Sequence, residues 1–406
     1  MTRESAGFAD SLENLTDDKS GDTMKGYGNW KRLTAVAFTA IAVSSMCGCR
    51  EKTSDGPIIL KDVKQAKNII LMIGDGMGPQ QIKAGELFKG ERLTMQNFPY
   101  MTKVDTCSRS DTITDSAAAA TAMATGVRTT NGIVGKDPAY TDLETIVDIA
   151  HAMGKRTGII ATEELYGATP MGFSGHADTR GEREVLLHSA ATTGNVDLFA
   201  SSIITIEYQN IFTSAGYEMM VEADEISDST ADKVFGSYVI PAVAESMSAE
   251  GNVVAFDRLV TEALDYLSKD KDGFFLMAEG SHIDHGGHNN DICYMLEELL
   301  AFDAGVQAAL EWAKDRDDTV VIVVADHETG GLEVDALATH EEVVETYENG
   351  GAGAWYFWLT TGHSSTDINC YINGANIDFA KYSYGKKSRI KNTDVFDIMK
   401  SLLQGD

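Results

Sequence analysis

The sequence predicts an α/β protein, a three-layer αβα sandwich with a mainly parallel central sheet. Two observations support this prediction. Short, continuous apolar runs end at glycine or at an acidic residue, as buried parallel strands do. Helical patterns alternate with these runs, which is typical of a parallel sheet that is covered on both faces. A chain of 406 residues, 43% of them hydrophobic, is long enough to bury a large core of this kind.

Four apolar runs are predicted to be strands of this sheet. One run starts at Asn68 and ends in Gly74-Asp75-Gly76, and three others cover residues 155–161, 273–278 and 319–325. Helical patterns lie between them, at residues 117–125, 143–153, 258–268, 294–314 and 394–403. We expect residues 195–256 to cap or flank the sheet and residues 350–358 to lead into an outer strand.

The amino terminus predicts export. Residues 1–23 are polar and acidic, and Met24 opens a basic region followed by an apolar run at 33–43 that is short for a membrane span. We therefore predict translation from Met24, a signal segment at 1–49, a linker at 50–67 and a folded domain at 68–406. Gly48-Cys49 is similar to the acylation site of bacterial lipoproteins, and a plain cleaved signal fits equally well. Either way we expect an exported, periplasmic or extracytoplasmic protein, with or without a lipid anchor at Cys49.

The composition excludes several classes of protein. The chain has 33 basic and 62 acidic residues and a net charge of −29, so it is a poor general binder of nucleic acid or anionic membranes. The carboxylates offer many oxygen ligands for cations. Cys107, Cys293 and Cys370 are far apart in the sequence, which argues against a thiolate zinc site. They allow at most one disulfide, and we expect buried free thiols.

The densest group of potential metal ligands is the segment E-G-S-H-I-D-H-G-G-H, from Glu279 to His288. It contains three of the nine histidines of the chain. Asp284 and His288 are four residues apart, so a helical turn would place them on one face. A polar loop with incidental histidines is the alternative, but the scarcity of histidine elsewhere favours a site for divalent metal ions.

Other candidate ligands follow the predicted strands directly. Asp75, Glu279 and Asp326-His327 each come at the end of an apolar run, and the carboxyl ends of parallel strands open into a common crevice. His363 lies in a Gly/Ser loop and on its own would more often be a surface residue. Together these residues exceed what one zinc ion binds. Two metal ions that share a carboxylate suit the hydrolysis of phosphate esters.

Ser116 begins an alanine-rich helical pattern in the segment I-T-D-S-A-A-A-A-T. Asp115 and Ser116 on their own are typical of a helix cap, and alanine favours the helix that follows. The free amides at a helix start also favour an anion. A serine hydroxyl is a weak nucleophile unless a base or a metal removes its proton. No G-x-S-x-G pattern is present, so we favour activation of Ser116 by metal.

This segment resembles the nucleophile signature of the alkaline phosphatases. Four further motifs and a short G-H pair resemble the same family and stand in its order over residues 68–403. They are G-D-G-M-G at Asp75, A-T-P at Thr169, the E-G-S-H-I-D-H-G-G-H segment, V-V-A-D-H at Asp326, and G-H at His363. The resemblance implies the alkaline phosphatase fold and makes residues 68–406 the catalytic domain.

The resemblance also implies a role for each candidate residue. One zinc ion would be held by Asp284, His288 and His363, and a second by Asp75, Asp326, His327 and the Ser116 oxygen. A magnesium ion would be held by Asp75, Thr169 and Glu279. Arg180 falls at the phosphate-binding position of the family, and its guanidinium suits two phosphate oxygens. The implied activity is hydrolysis of small phosphate monoesters through a phosphoserine intermediate, in a homodimer.

One departure from the family concerns the magnesium position. Gly167 stands two residues before Thr169, where well-studied relatives carry Asp or His, so the identity of the third metal ion is open. Other enzymes of the same superfamily are the nearest alternatives, namely phosphodiesterases and sulfatases. The C/S-x-P-x-R context that sulfatases need is absent around Ser116. A non-enzymatic alternative is an exported phosphate- or metal-binding lipoprotein.

Overall fold

The computed structural model describes residues 64–241, 253–374 and 389–405. The predicted signal segment with Met24 and Cys49, and the linker up to residue 63, lie outside the described residues. Within those ranges no helix is both long and apolar enough to cross a membrane. Cys370 is a buried free thiol as expected, Cys293 is a free thiol that is only half-buried, and Cys107 is disulfide-bonded.

The predicted mainly parallel sheet is confirmed. The strands in the described ranges are β1 (Asn68–Gly74), β2 (Tyr100–Asp105), β3 (Arg156–Glu164), β4 (Leu198–Ser202), β5 (Glu218–Met220), β6 (Val234–Tyr238), β7 (Phe274–Gly280), β8 (Thr319–Val324), β9 (Glu328–Thr329), β10 (Leu332–Val334), β11 (Tyr356–Trp358), β12 (His363–Ser364), β13 (Ile368–Gly374) and β14 (Arg389–Lys391). Ten of these described strands form one sheet in the order β14-β2-β13-β8-β1-β7-β3-β4-β6-β5. Only β13 runs antiparallel to its neighbours.

The central strands are covered on both faces. Every residue of β1, β7 and β8 is buried, which explains why their sequences are continuous apolar runs and do not alternate. The register pairs Ile73 of β1 with Glu279 of β7 and with Val324 of β8. Asp75, Glu279 and Asp326 therefore come to the same edge of the sheet.

Helices cover the sheet in two layers. Those in the described ranges are α1 (Pro79–Lys89), α2 (Ser116–Thr125), α3 (Ile146–Ala152), α4 (Ala168–Ser174), α5 (Arg183–Thr193), α6 (Ile206–Ser214), α7 (Asp224–Asp228), α8 (Phe256–Leu267), α9 (His282–Asn289), α10 (Ile292–Ala313), α11 (His340–Glu348) and α12 (Asn392–Gln404). One layer groups α1, α7, α8, α9, α10 and α11, and the other groups α2, α3, α4, α5, α6 and α12. The three-layer αβα sandwich is thus confirmed.

Three segments differ from the sequence-based expectation. Residues 195–256 do not merely cap or flank the sheet, because β4, β6 and β5 join it and form one of its ends. The outer strand expected from residues 350–358 is present as β11, but it pairs with β10 in a separate two-stranded sheet. The helix predicted at 143–153 starts only at Ile146, because Thr145 and Asp148 form a capping box there.

Candidate metal centre and nucleophile

Ser116 is the first residue of α2, and only 5% of it is exposed. The Asp115 side chain caps the helix by accepting a hydrogen bond of 3.0 Å from the Ala118 amide. The Ser116 Oγ lies 3.2 Å from His327 Nε2. Ser116 is therefore both at the helix start and in contact with a candidate metal ligand.

The small side chains of α2 allow this buried helix to pack closely against α4. Every residue of α2 is buried. A Cβ added to Gly172 of α4 would lie 2.6 Å from the Ala120 Cβ, closer than two carbon atoms can approach. The alanines and Gly172 thus bring the helix that carries Ser116 next to the one that carries Thr169.

The structure brings Asp284, His288 and His363 together. The His288 Nε2 lies 3.3 Å from Asp284 Oδ2, and the His363 Nε2 lies 3.6 Å from Asp284 Oδ1. The two histidine Nε2 atoms are 3.1 Å apart. Asp284 and His288 belong to α9, so the helical turn expected from their spacing is present.

Hydrogen bonds orient the imidazole rings of this group. The His288 Nδ1 donates to the Thr361 carbonyl at 2.6 Å, and the His363 Nδ1 donates to the Thr114 carbonyl at 2.9 Å. A carbonyl only accepts, so each neutral ring carries its proton on Nδ1 and presents an Nε2 lone pair. Two lone pairs that face each other beside a carboxylate form an arrangement that a cation stabilises.

A second group consists of Asp75, Asp326 and His327. The His327 Nε2 lies 3.1 Å from Asp326 Oδ2 and 3.6 Å from Asp75 Oδ1. The Gly76 amide donates to Asp326 Oδ1 at 3.2 Å. Gly76 has a φ of +72°, and a Cβ there would lie 2.7 Å from the Asp284 Cα, so the turn after β1 requires glycine.

Thr329 connects the two groups, which sequence reasoning did not foresee. Its hydroxyl donates to Asp284 Oδ1 and accepts from His327 Nδ1 at 3.2 Å. This pattern leaves the lone pair of the neutral His327 ring on Nε2, facing Asp75, Asp326 and Ser116. Thr329 lies three residues after Asp326, but no pattern in the sequence shows that its hydroxyl bridges two ligands.

Buried oxygen atoms beside Asp75 form a third group. Asp75 Oδ1, Thr169 Oγ1 and both carboxylate oxygens of Glu279 have no hydrogen-bond partner among the described residues. Buried polar atoms are normally paired, so the unpaired oxygens of these three residues are candidates to bind a cation. Carboxylate and hydroxyl oxygens are the ligands that Mg²⁺ prefers.

The ionisation of the carboxylates reflects this crowding. Burial raises the pKa of Asp75 well above its ordinary value, and the charges of Asp326 and Asp284 raise it further. Burial likewise raises the pKa of Glu279, with Glu163 as the strongest neighbouring charge. Burial raises the pKa of Glu163 to about 7, although Arg180 opposes the shift. Asp75, Glu279 and Glu163 therefore take up protons more readily than exposed carboxylates do, unless cations neutralise them.

Arg180 lies over the start of α2. Its Nη1 donates to Asp115 Oδ2 at 3.4 Å, and its backbone amide donates to the Gly132 carbonyl at 2.7 Å. The Gly132 amide also donates to Asp115 Oδ2, at 3.0 Å. Asp115 thus caps the Ser116 helix and holds the Arg180 side chain, of which 44% is exposed. A half-exposed guanidinium beside a buried hydroxyl can bind an anion that reaches Ser116.

An αβα sandwich with histidines and carboxylates around a buried serine is typical of metal-binding hydrolases. The family model for alkaline phosphatase matches residues 66–237 and 207–398. The chain belongs to the alkaline phosphatase family, and it is a phosphatase.

Relatives and solved structures agree with this assignment. Alkaline phosphatase 4 of Bacillus subtilis is 30% identical over 328 residues, which cover 75% of this chain and 71% of the relative. The structure of alkaline phosphatase from the Antarctic bacterium TAB5 matches with a TM-score of 0.71 and 28% identity, over 84% of this chain and 98% of that one. A variant of the TAB5 enzyme with Mg bound in the M3 site matches with a TM-score of 0.69 and 28% identity, over 84% and 99% of the two chains.

Proposed function

We propose that this phosphatase is exported and hydrolyses small phosphate monoesters through a phosphoserine intermediate on Ser116, with two zinc ions and one magnesium ion. The observation that carries the proposal is the 3.2 Å contact between the Ser116 Oγ and His327 Nε2. Through this contact the candidate nucleophile touches the group formed by Asp75, Asp326 and His327. The basic region and apolar run before Cys49 support export, and the family resemblance supports a homodimer.

The donor atoms fit the metal ions that the family implies. Asp284, His288 and His363 would hold one zinc ion, and Asp75, Asp326, His327 and Ser116 would hold the other. These are nitrogen and carboxylate donors, as zinc prefers. Asp75, Thr169 and Glu279 offer only oxygen, as magnesium prefers. When bound, the zinc ions neutralise phosphate charge and lower the pKa of nearby hydroxyl groups.

The residues of the chain position the reaction. Arg180 would bind two oxygens of the phosphoryl group and orient it over the start of α2, where free amides favour negative charge. The Ser116 Oγ then forms a bond to phosphorus as the bond to the alcohol breaks. A water molecule later cleaves the phosphoserine ester and restores the hydroxyl. Since the contacts go to the phosphoryl group, we expect broad specificity for the alcohol.

The Ser116→Ala variant tests this proposal. We expect its rate of phosphate monoester hydrolysis to fall by on the order of a thousandfold or more, because the bond to phosphorus can no longer form. The zinc content should stay that of the wild type. Ser268→Ala, which alters a half-buried serine at the C-cap of α8, is the matched control and should keep full activity. Equal rates in Ser116→Ala and wild type would overturn the proposal.

Two further measurements separate the alternative functions. Rates on a phosphate monoester and on a diester, measured with the same zinc-loaded protein, distinguish a phosphomonoesterase from a phosphodiesterase. We expect the monoester to be hydrolysed faster. A metal-binding lipoprotein without catalytic function would bind zinc and turn over neither substrate.

A further inference from the structure

We propose that Glu163 is a ligand of the third metal ion and supplies, from the end of β3, the carboxylate that Gly167 lacks. This inference rests on the proposed function in one respect, the presence of a magnesium ion beside Asp75, Thr169 and Glu279. Glu163 is not part of any motif by which the sequence resembles its family.

The first observation is the position of the Glu163 carboxylate relative to Gly167. A Cβ added to Gly167 would lie 1.8 Å from the Glu163 Oε1 and 2.5 Å from its Cδ. The carboxylate therefore occupies the volume that a side chain at position 167 would fill. Gly167 is the N-cap residue of α4, and Thr169 lies in the first turn of the same helix. The carboxylate thus lies at the helix start that carries one of the orphaned oxygens.

The second observation is that strand pairing brings Glu163 to the same edge of the sheet as Glu279. Strands β3 and β7 are parallel neighbours in which Ala161 pairs with Glu279, so Glu163 lies two residues further along the adjacent strand. The Glu163 amide donates to Ser281 Oγ at 3.3 Å, and the Ser281 amide donates to Thr162 Oγ1 at 2.8 Å. These bonds fix the end of β3 against the turn that follows β7.

The third observation is the set of unpaired oxygens that the carboxylate joins. Glu279 and Thr169 are fully buried, and their side-chain oxygens lack hydrogen-bond partners among the described residues. With Asp75 and Glu163 they would offer three carboxylates and one hydroxyl to a cation. An all-oxygen set with this charge suits Mg²⁺ and disfavours softer metals.

A role as the partner of Arg180 is the competing explanation for Glu163. Among the described residues the ion pair of Arg180 is with Asp115 Oδ2, at 3.4 Å. A partner role predicts that removing the Glu163 charge changes phosphate binding and leaves magnesium binding intact. A ligand role predicts that removing the Glu163 charge weakens magnesium binding and leaves phosphate binding intact.

The test measures magnesium binding to zinc-loaded protein by calorimetry, and metal content by mass spectrometry. We expect the wild type to bind one Mg²⁺ per chain in addition to two zinc ions. Glu163→Ala should bind it at least roughly tenfold more weakly, since even residues that only support a metal ligand contribute about 10- to 100-fold. The rise in melting temperature on adding Mg²⁺ should shrink in parallel. Glu164→Gln alters the next carboxylate along the chain and should bind Mg²⁺ like the wild type.

A reciprocal pair of variants makes the test specific to this geometry. Gly167 has a φ of −51°, so an aspartate there meets no backbone strain. Gly167→Asp alone places a Cβ against the Glu163 carboxylate and should weaken magnesium binding. Gly167→Asp combined with Glu163→Ala removes that clash and supplies a carboxylate from position 167, so we expect magnesium binding to recover.

Each outcome has a definite meaning. Wild-type magnesium affinity in Glu163→Ala, or no recovery in the double variant, would overturn the role of Glu163. A changed affinity for inorganic phosphate with normal magnesium binding would assign Glu163 to Arg180 instead. If wild-type and Ser116→Ala proteins hydrolyse monoesters equally, the proposed function fails, while the count of magnesium ions still decides whether Glu163 is a ligand.

Discussion

The Arg180 side chain gives a prediction at the scale of single residues. Its guanidinium can form two parallel hydrogen bonds to a phosphoryl group, each strengthened by charge. We expect Arg180→Ala to weaken the inhibition constant of inorganic phosphate by about 10- to 100-fold, which corresponds to about 1.5–3 kcal/mol for a charged hydrogen bond. Arg180→Lys keeps the positive charge but lacks the planar guanidinium. Its inhibition constant for phosphate should therefore lie between those of the wild type and Arg180→Ala. Unchanged phosphate inhibition in Arg180→Ala would contradict this role.

At the same scale, candidate ligands that directly follow apolar strands could be predicted from the sequence. Asp75, Glu279 and Asp326 could be found because a buried parallel strand has a recognisable pattern and its carboxyl end faces the crevice. Glu163 escaped the same reasoning because the apolar pattern of its strand stops at residue 161, whereas β3 continues to Glu164. The contact with Gly167 arises from tertiary packing, which spacing along one strand does not encode.

At the scale of helices, the close contact between α2 and α4 leaves no room for a larger residue at Gly172. Gly172→Ala would insert a methyl group 2.6 Å from the Ala120 Cβ. Overpacking should lower the free energy of unfolding by about 1–3 kcal/mol. We expect this loss to exceed the gain of about 1 kcal/mol that comes from the higher helix propensity of alanine over glycine. Because α2 carries Ser116, kcat for monoester hydrolysis should fall as well. Denaturant unfolding and steady-state kinetics measure the two effects.

Gly305→Ala is the matched control for this packing effect. Its added Cβ would lie 2.6 Å from the Phe256 ring, and Gly305 is in α10, which carries none of the candidate site residues. We expect a comparable loss of stability with little change in kcat for the folded enzyme. If both variants lose kcat equally, close packing of α2 on α4 has no special role in placing Ser116.

The helices and strands that could be predicted are those with a clear local pattern of apolar residues. All five predicted helices are present, and so are the four predicted strands, because continuous apolar runs and amphipathic periods are local features. Strand β2 was not predicted because its residues form no apolar run, and only Val104 among them is buried. Strands β5 and β14 have only three residues each, too few to show a period. Their places in the sheet depend on pairing partners distant in the chain.

At the scale of the whole molecule, the fold gathers mutually repelling charges at one edge of its sheet. Seven neighbouring strands, from β8 to β5 in sheet order, run parallel, so loops from several parts of the chain meet there. The crevice could be predicted from the sequence for this reason. In the metal-free chain these carboxylates are either protonated or ionised, and if they are ionised their mutual repulsion destabilises the folded state. We therefore expect the stability of the whole protein to depend on metal and on pH together.

This dependence has a definite sign. In metal-free protein, burial raises the pKa of Glu163 from 4.5 to about 7 and raises those of Asp75 and Glu279 as well. The folded state then binds protons that the unfolded chain has lost, and this stabilisation disappears as pH rises from about 4.5 through 7. Bound metal ions replace those protons. The gap in melting temperature between metal-loaded and chelator-treated protein should therefore widen from pH 5 to pH 8.

Scanning calorimetry of the two forms at matched ionic strength measures this gap, which we expect to grow by on the order of 5 °C. Groups outside the site should affect the two forms equally. Burial raises the pKa of Asp197, for example, so its contribution to the stability of the folded state falls as pH rises, with or without metal. Such contributions cancel in the difference in melting temperature between the metal-loaded and the chelator-treated protein. A gap that stays constant or narrows with rising pH would mean that cations do not replace protons at these carboxylates.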